Sequence, residues 1–314
     1  MQINKPIYWS KKNIIAFILF PFTIITFIIN LIKKNSSKKK YSLKTICVGN
    51  IYIGGTGKTS LCISINKILN KKYKTVFIKK NYSNQLDEQN LLRSHGKLLS
   101  NQKRKVSLKI AEKKAFDVAV LYDGLQDKSI NYDISIACFN SSSGIGNGYL
   151  LPAGPLRENI SALNNYDAIF LNGEKKNKKL NLILKKIKSK PKIFKAIYTP
   201  TNLKNFNRNK NFLFFCGIGN PDEFKRTLNK YKFKLREEFI FPDHHNYSNA
   251  EVEKIKQIAK NKKLEIITTE KDYYRLNNKN KKNIKCLKII LKIKNIKSFS
   301  KFLNKKIWKK LFIL

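Results

Sequence analysis

Apolar residues run along the chain in short blocks separated by polar, turn-forming stretches. The blocks 43–48, 75–78, 116–122, 134–139 and 168–171 have strand length and read as buried strands. Residues 58–70 read as a helix. Strand and helix in alternation predict a parallel sheet with helices on both faces. A Lys/Asn-rich stretch, 174–190, reads as a surface helix or linker, and the alternation then resumes. Strands are predicted over 193–198, 212–216, 238–241, 265–268 and 287–291, and helices over 221–230, 249–261 and 298–312. The pattern therefore predicts an α/β protein of two units, 41–173 and 174–314, with a cleft between them and the last helix packing back on the first unit. No repeat at solenoid spacing is present.

Ahead of these units lies a different pattern. Residues 13–32 are 20 in number and carry no charge, with Lys11 and Lys12 before them and Lys33 and Lys34 after. That length matches a bilayer core of about 30 Å. It exceeds the apolar region of a signal peptide, and no small-residue cleavage site follows. Pro21 would kink a helix there. Residues 1–40 are expected to be an N-terminal membrane helix with basic flanks, either spanning the bilayer or lying in one leaflet as a bent anchor.

Charge changes this picture less than its size suggests. The 314 residues carry 65 Lys and Arg against 20 Asp and Glu, a formal net charge of +45. A surplus of that size is the footprint of many nucleic-acid binders. Here almost all of it is Lys, scattered and mixed with Asn and Ile, as a strongly AT-biased coding sequence would produce. A nucleic-acid partner is not expected; an anionic membrane surface would gain from the lysines beside the apolar segment. Cys47, Cys62, Cys138, Cys216 and Cys286 are far apart and odd in number, which reads as free thiols in a reducing compartment and not as a zinc site.

The candidate chemistry begins after the first strand. Gly54, Gly55, Thr56, Gly57, Lys58 and Thr59 spell GGTGKT directly before the first predicted helix. Glycines let a backbone wrap closely around phosphates, and a helix N-terminus offers free N–H groups. Lys58 would reach the β- and γ-phosphates and Thr59 would hold Mg²⁺. The strict pattern asks for Gly where this chain has Tyr52.

Further strings narrow the class. VGNIYIGGTGKT (48–59) resembles the VGN-x-x-x-GGTGKT of the lipid A 4'-kinases, which share the displaced glycines. YDGLQD (122–127) resembles that family's DDGLQH, and GNGYLLPAGPLRE (146–158) its GNG-x-LLPAGPLRE. CGIGNP (216–221), FPDHHNY (241–247) and TTEKD (268–272) follow in the family's order. The resemblance covers nearly the whole chain. It implies a P-loop fold with a smaller second α/β domain. It also implies transfer of the ATP γ-phosphate to the 4'-hydroxyl of a tetraacylated glucosamine disaccharide 1-phosphate, giving lipid IVA. The expected place is the cytoplasmic face of the Gram-negative inner membrane, with ATP, Mg²⁺ and a lipid substrate held in the membrane.

Individual roles follow from it. A sugar hydroxyl is a weak nucleophile, so a carboxylate should take its proton. Asp87, in a segment resembling the family's GDE, is the candidate. His244 is its expected partner, to orient it and tune its pKa. Asp123 follows a strand as a Walker-B acid does and would position Mg²⁺. Arg157 is expected to clamp a phosphate of ATP or of the acceptor. Gln126 is expected in the active-site wall, and Glu270, Lys271 and Asp272 on the nucleotide side of the cleft.

Two departures stand against full activity. Tyr122 occupies the first of the family's two acidic positions, and 79–84 reads KKNYSN where the family has SRGYGR. The alternatives are a degenerate ATP-binding homologue with impaired catalysis, or a membrane-tethered P-loop ATPase. The joint presence of Lys58, Thr59, Asp87, Asp123 and His244 favours an active kinase.

Overall fold

The computed structural model describes residues 6–35, 37–82, 85–142, 144–174 and 177–308. Residues 83–84 of the divergent stretch and the expected helix end at 309–312 lie outside them. Twelve strands occur among the described residues: β1 Lys44–Gly49, β2 Thr75–Lys80, β3 Leu98–Asn101, β4 Val118–Tyr122, β5 Ile134–Asn140, β6 Ala168–Asn172, β7 Lys192–Pro200, β8 Asn211–Cys216, β9 Lys234–Ile240, β10 Glu265–Thr269, β11 Ile284–Leu287 and β12 Ile289–Ile293. The α-helices are α1 Ile14–Leu19, α2 Thr23–Lys34, α3 Lys58–Leu69, α4 Leu86–Arg93, α5 Arg104–Lys113, α6 Lys178–Lys186, α7 Pro221–Lys230, α8 Asn249–Asn261, α9 Glu270–Arg275 and α10 Ile296–Trp308.

The chain forms two compact units. Among the described residues, the larger holds the chain up to Asn81, Leu92–Ile197 and the chain from Leu291 on; the smaller holds Tyr82–Leu91 and Tyr198–Ile290. A division after residue 173 does not match the sheets, because β7 and β12 belong to the large one.

The larger unit is built on an eight-stranded sheet, β12-β7-β6-β5-β1-β4-β2-β3, parallel from β7 to β3. Every residue of β4 and β5 is buried, which requires cover on both faces. On one face Ala119 and Leu121 meet Leu108 and Ala111 of α5, and Phe139 and Leu171 meet Leu180 and Leu184 of α6. The other face carries α3 and α10. There Thr75 donates to Asn66 of α3 at 2.6 Å, and Phe299 of α10 packs edge-on to Phe170 at 5.6 Å.

The smaller unit has a four-stranded parallel sheet, β11-β10-β8-β9. Its central β8 alternates by the strand period of two. Phe212 and Phe214 join Phe224 and Leu228 of α7 in one core, while Leu213 and Phe215 join Val252 and Ile255 of α8 in another. The strand expected over 287–291 is two strands, β11 and β12, in different sheets.

The apolar N-terminal segment is not one membrane helix. It forms α1 and α2, broken around Pro21, which lacks the N–H that a continuous helix needs. Among the described residues no helix is long and apolar enough to cross a membrane. Its amphipathicity is inverted. Thr23, Thr26 and Asn30 are partly covered, whereas Ile24, Ile25, Phe27, Ile28, Ile29, Leu31 and Ile32 are exposed. Thr26 donates to the Leu151 carbonyl at 2.8 Å and Asn30 to that of Arg157 at 2.9 Å. Trp9 and Asn147 add bonds between the start of the chain and the 147–153 loop.

Candidate active site

In the larger unit the GGTGKT loop joins β1 to α3, at the carboxyl edge of the parallel sheet. Gly54 and Gly57 have φ of 145° and 80°, which a side chain would resist, and Gly57 caps α3. Thr56 is buried: Asn172 at the end of β6 donates to its carbonyl, and Asn50 approaches its hydroxyl at 3.4 Å. Tyr52, at the position of the missing glycine, is a built part of this loop. Its ring lies 5.6 Å from that of Phe139, its hydroxyl accepts from the Asn140 N–H at 2.9 Å, and its backbone bridges to Leu156.

Three elements converge on Asp123. Lys58, at the first turn of α3, places Nζ 3.6 Å from its Oδ1. Arg157 holds both carboxylate oxygens, at 2.9 and 3.2 Å, and also reaches Asn50 at 3.2 Å. Arg104 of α5 donates to the Asp123 carbonyl at 2.6 Å and lies 3.7 Å from Asp127. Asp123 has φ of 52°, and its N–H donates to the Val48 carbonyl at 2.7 Å, which fixes the turn. Burial alone would raise its pKa, but Lys58 and Arg157 prevail and hold it below the usual carboxylate range. Gln126 donates to the Asn50 carbonyl at 2.9 Å and to Glu158 at 2.7 Å, so it braces the loop.

A second polar cluster lies within the smaller unit. Asp87, near the start of α4, faces His244 Nδ1 at 3.1 Å through one oxygen and Arg275 Nη2 at 2.7 Å through the other. Arg275 also holds Asp272 at 2.7 Å and the Gly217 carbonyl at 2.5 Å. Asp272 is fully buried and accepts from Gly217 N–H, Tyr247 and Thr269. These bonds make it the rigid support of the cluster. Lys271 pairs with Glu88 at 3.0 Å. Burial would raise the Asp87 pKa, yet the His244 bond, Lys271 and Arg275 outweigh it and keep the group ionised to low pH. Asp272 shares the same guanidinium and goes the other way, because its complete burial prevails.

The adjacent histidines separate. His244, held at φ 62° by its N–H bond to Gly217, faces Asp87. His245 stacks on Phe241 at 4.6 Å and pairs with Glu251 at 3.0 Å, a packing role. The structure thus brings together Asp87 with His244, and Lys58 with Asp123 and Arg157. Sequence reading missed Arg104, Arg275 and Glu158, whose partners Asp123, Asp87 and Gln126 lie 19, 188 and 32 positions away.

The family model described as Tetraacyldisaccharide-1-P 4'-kinase (LpxK) matches residues 15–308. A tetraacyldisaccharide 4'-kinase of Pelagibacter ubique is 45% identical over 312 residues, covering 97% of this chain and 98% of that protein. One of Rickettsia canadensis is 34% identical, covering 99% of this chain and 98% of its own length. Among solved structures, LpxK of Aquifex aeolicus in complex with ATP superposes with a TM-score of 0.72 at 20% identity, covering 94% of this chain and all of that one, which is a likeness of fold. On the family match and the full-length relatives, the chain belongs to the tetraacyldisaccharide-1-P 4'-kinase family.

Proposed function

We propose that this chain transfers the γ-phosphate of ATP to the 4'-hydroxyl of a tetraacylated glucosamine disaccharide 1-phosphate, giving lipid IVA. The observation that carries the reading is the glycine loop before α3, with Lys58 and Arg157 converging on Asp123. The names of the relatives and the ATP held by the Aquifex aeolicus protein support it.

In this reading the backbone N–H groups of 54–59 and the α3 N-terminus receive the nucleotide phosphates. Lys58 binds the β- and γ-phosphates, and Arg157 clamps a phosphate of ATP or acceptor. Thr59 and Asp123 are hard oxygen donors suited to Mg²⁺. Among the described residues no group of three or more His, Cys, Asp or Glu could hold a metal, so phosphate oxygens and water would complete the shell. The ion supplies charge that stabilises the transferring phosphoryl group. Because Asp123 is held ionised by Lys58 and Arg157, it is ready for the ion at neutral pH.

The acceptor proton goes to the Asp87–His244 pair. Arg275 fixes the carboxylate and Asp87 fixes the imidazole. The inverted α1–α2 segment lies in one leaflet of the inner membrane, on its cytoplasmic side, with its isoleucines and phenylalanines toward the acyl chains and Lys11, Lys12, Lys33 and Lys34 at the headgroups. Asn30 ties this anchor to the Arg157 backbone, so the membrane seat and the phosphate clamp belong to one connected element.

The test is transfer of labelled γ-phosphate from Mg-ATP to a tetraacyldisaccharide 1-phosphate in detergent micelles, with Lys58→Ala and Asp87→Ala alongside. Transfer by the wild type, lost in both variants, is the expected result. No transfer by a folded, ATP-binding wild type would overturn the reading and leave a nucleotide-binding homologue.

A further inference from the structure

His244 meets Asp87 from a backbone that favours other conformations. Its φ of 62° lies in a region that L side chains rarely enter, and its N–H donates to the Gly217 carbonyl at 3.1 Å. Such a turn persists only where its surroundings over-determine it. The next residue supplies much of that constraint. The His245 ring stacks on Phe241 at 4.6 Å and meets Tyr247 edge-on at 5.0 Å. Phe241 is tied to the end of β8 by its N–H bond to the Cys216 carbonyl at 2.8 Å, and Tyr247 to Asp272 through its hydroxyl at 2.8 Å. A side chain at Gly217 would crowd the Pro242 carbonyl at 2.9 Å and the His245 Cβ at 3.1 Å, so the turn lies close against the end of β8.

The polar end of His245 is anchored as well. Its Nε2 lies 3.0 Å from one oxygen of Glu251. The other oxygen accepts from the Ser248 N–H at 2.8 Å and the Ser248 hydroxyl at 2.9 Å, which closes the capping box of α8. One carboxylate therefore fastens both the start of α8 and the imidazole. The helix is a firm post, because Val252 and Ile255 pack with Leu213 and Phe215 of β8. The Ser248 N–H holds Glu251 below the usual carboxylate range, so its oxygens only accept and Nε2 must carry the hydrogen. We propose that His245 is a positioning residue for phosphoryl transfer: its Nε2–H bond to Glu251 locks the 241–248 turn to α8, and that lock aims the His244 imidazole at Asp87. The proposal rests on the kinase reading above and on its Asp87–His244 pair. It divides the work of the two adjacent histidines. The first meets the carboxylate, and the second holds the turn that carries the first.

Two variants separate the bond from the packing. His245→Phe keeps a ring and loses the N–H, whereas His245→Gln keeps an N–H and loses the ring. The full chain is assayed for phosphate transfer in micelles, and its imidazole nitrogens are followed by NMR, where three histidines give an uncrowded spectrum. His245→Phe should lower kcat by about tenfold to a hundredfold, the cost of a misaimed catalytic group, with the KM for ATP near wild type. His245→Gln should keep most of the rate. The His244 nitrogen signals should move in His245→Phe toward those of Asp87→Asn, and stay near wild type in His245→Gln. In a His244→Gln background His245→Phe should bring no further loss, because it acts through His244. The same loss in both backgrounds would mark a merely structural residue and overturn the proposal. So would unchanged kcat and His244 signals in His245→Phe, or a loss confined to His245→Gln. Should His245→Phe not fold, Glu251→Ala removes the same bond from the other side and should move the same signals; unmoved signals there would overturn the proposal too. A folded wild type that transfers no phosphate would instead remove the kinase reading, and the nitrogen spectra alone would then decide whether His245 aims His244.

Discussion

Replacing Arg275 by Met should weaken the smaller unit more than almost any other single change. The guanidinium bonds Asp87, Asp272 and the Gly217 carbonyl. Its side chain is 4% exposed, and the two carboxylates are 2% and 0% exposed. Methionine fills much of the stem volume but strands two buried carboxylates. Breaking one buried pair costs about 3–5 kcal/mol. The two losses do not simply add, because Asp272 keeps three other donors and its raised pKa lets it take up a proton. The expected loss is therefore about 3–4 kcal/mol, within that range for one pair. Lys at this position brings charge without the fork and should recover only part of it. Hydrogen exchange of β8 and β10 amides reads the opening free energy of this unit and avoids treating the whole chain as two-state. Asp272→Asn in the Arg275→Met background should restore part of the loss. A loss below about 1 kcal/mol, the scale of a surface pair, would refute the network as the unit's support.

The same cluster sets a pH dependence. Asp87 is depressed in the folded chain, so its stabilisation is present above its unfolded pKa of about 3.9 and is lost as pH falls through the folded value. Asp272 is raised and acts oppositely, its contribution fading as pH rises through its folded pKa. Asp87→Asn should thus flatten the acid limb of stability against pH. Tyr52→Phe removes the acceptor of a buried N–H and should cost about 1–3 kcal/mol in urea unfolding. Tyr52→Gly, which restores the strict loop pattern, should cost about 3–5 kcal/mol because it empties a packed aromatic site. Ile24→Lys with Ile28→Lys places two charges on the exposed face of α2 and should cut binding to sedimented anionic vesicles; unchanged binding would mean the apolar face is not the membrane seat.

Much of the fold was legible because several of its strands are short apolar runs buried along all or nearly all of their length. β4, β5, β6 and β8 were predicted within two residues at each end, and α7 and α8 with their observed ends, each with apolar residues on one stripe. What escaped has little apolar contrast. β3 is four half-buried residues, and α5 buries only Ser107, Leu108 and Ala111 among its lysines. The sheet exchange at Lys288 escaped for another reason: it is decided by pairing, which no local pattern records. Residues 13–32 read as one span because apolar length is visible along a chain. The inward-facing Thr26 and Asn30 acquire meaning only once the 147–158 loop supplies their acceptors. Tyr52 looked like a defect in the glycine loop until Phe139 and Asn140 were seen to receive it.

One compositional signal pointed at the polar clusters more sharply than any motif. The chain holds 65 Lys and Arg, of which seven are Arg: Arg93, Arg104, Arg157, Arg208, Arg226, Arg236 and Arg275. A coding bias toward Lys erodes Arg wherever a point charge will do, as at the exposed pairs of Lys225 with Glu238 and Lys285 with Glu265. Three of the seven arginines bind several acceptors at once. Arg104 reaches two carbonyls and a carboxylate and Arg275 two carboxylates and a carbonyl, each through both terminal nitrogens, while Arg157 reaches both oxygens of Asp123 and Asn50 through one. A lysine's single ammonium cannot reproduce the two-nitrogen contacts of Arg104 and Arg275. In a lysine-rich chain, then, Arg104, Arg157 and Arg275 stand out as the arginines that lie against Asp123 and Asp87, whereas Arg226 and Arg236 make exposed surface contacts.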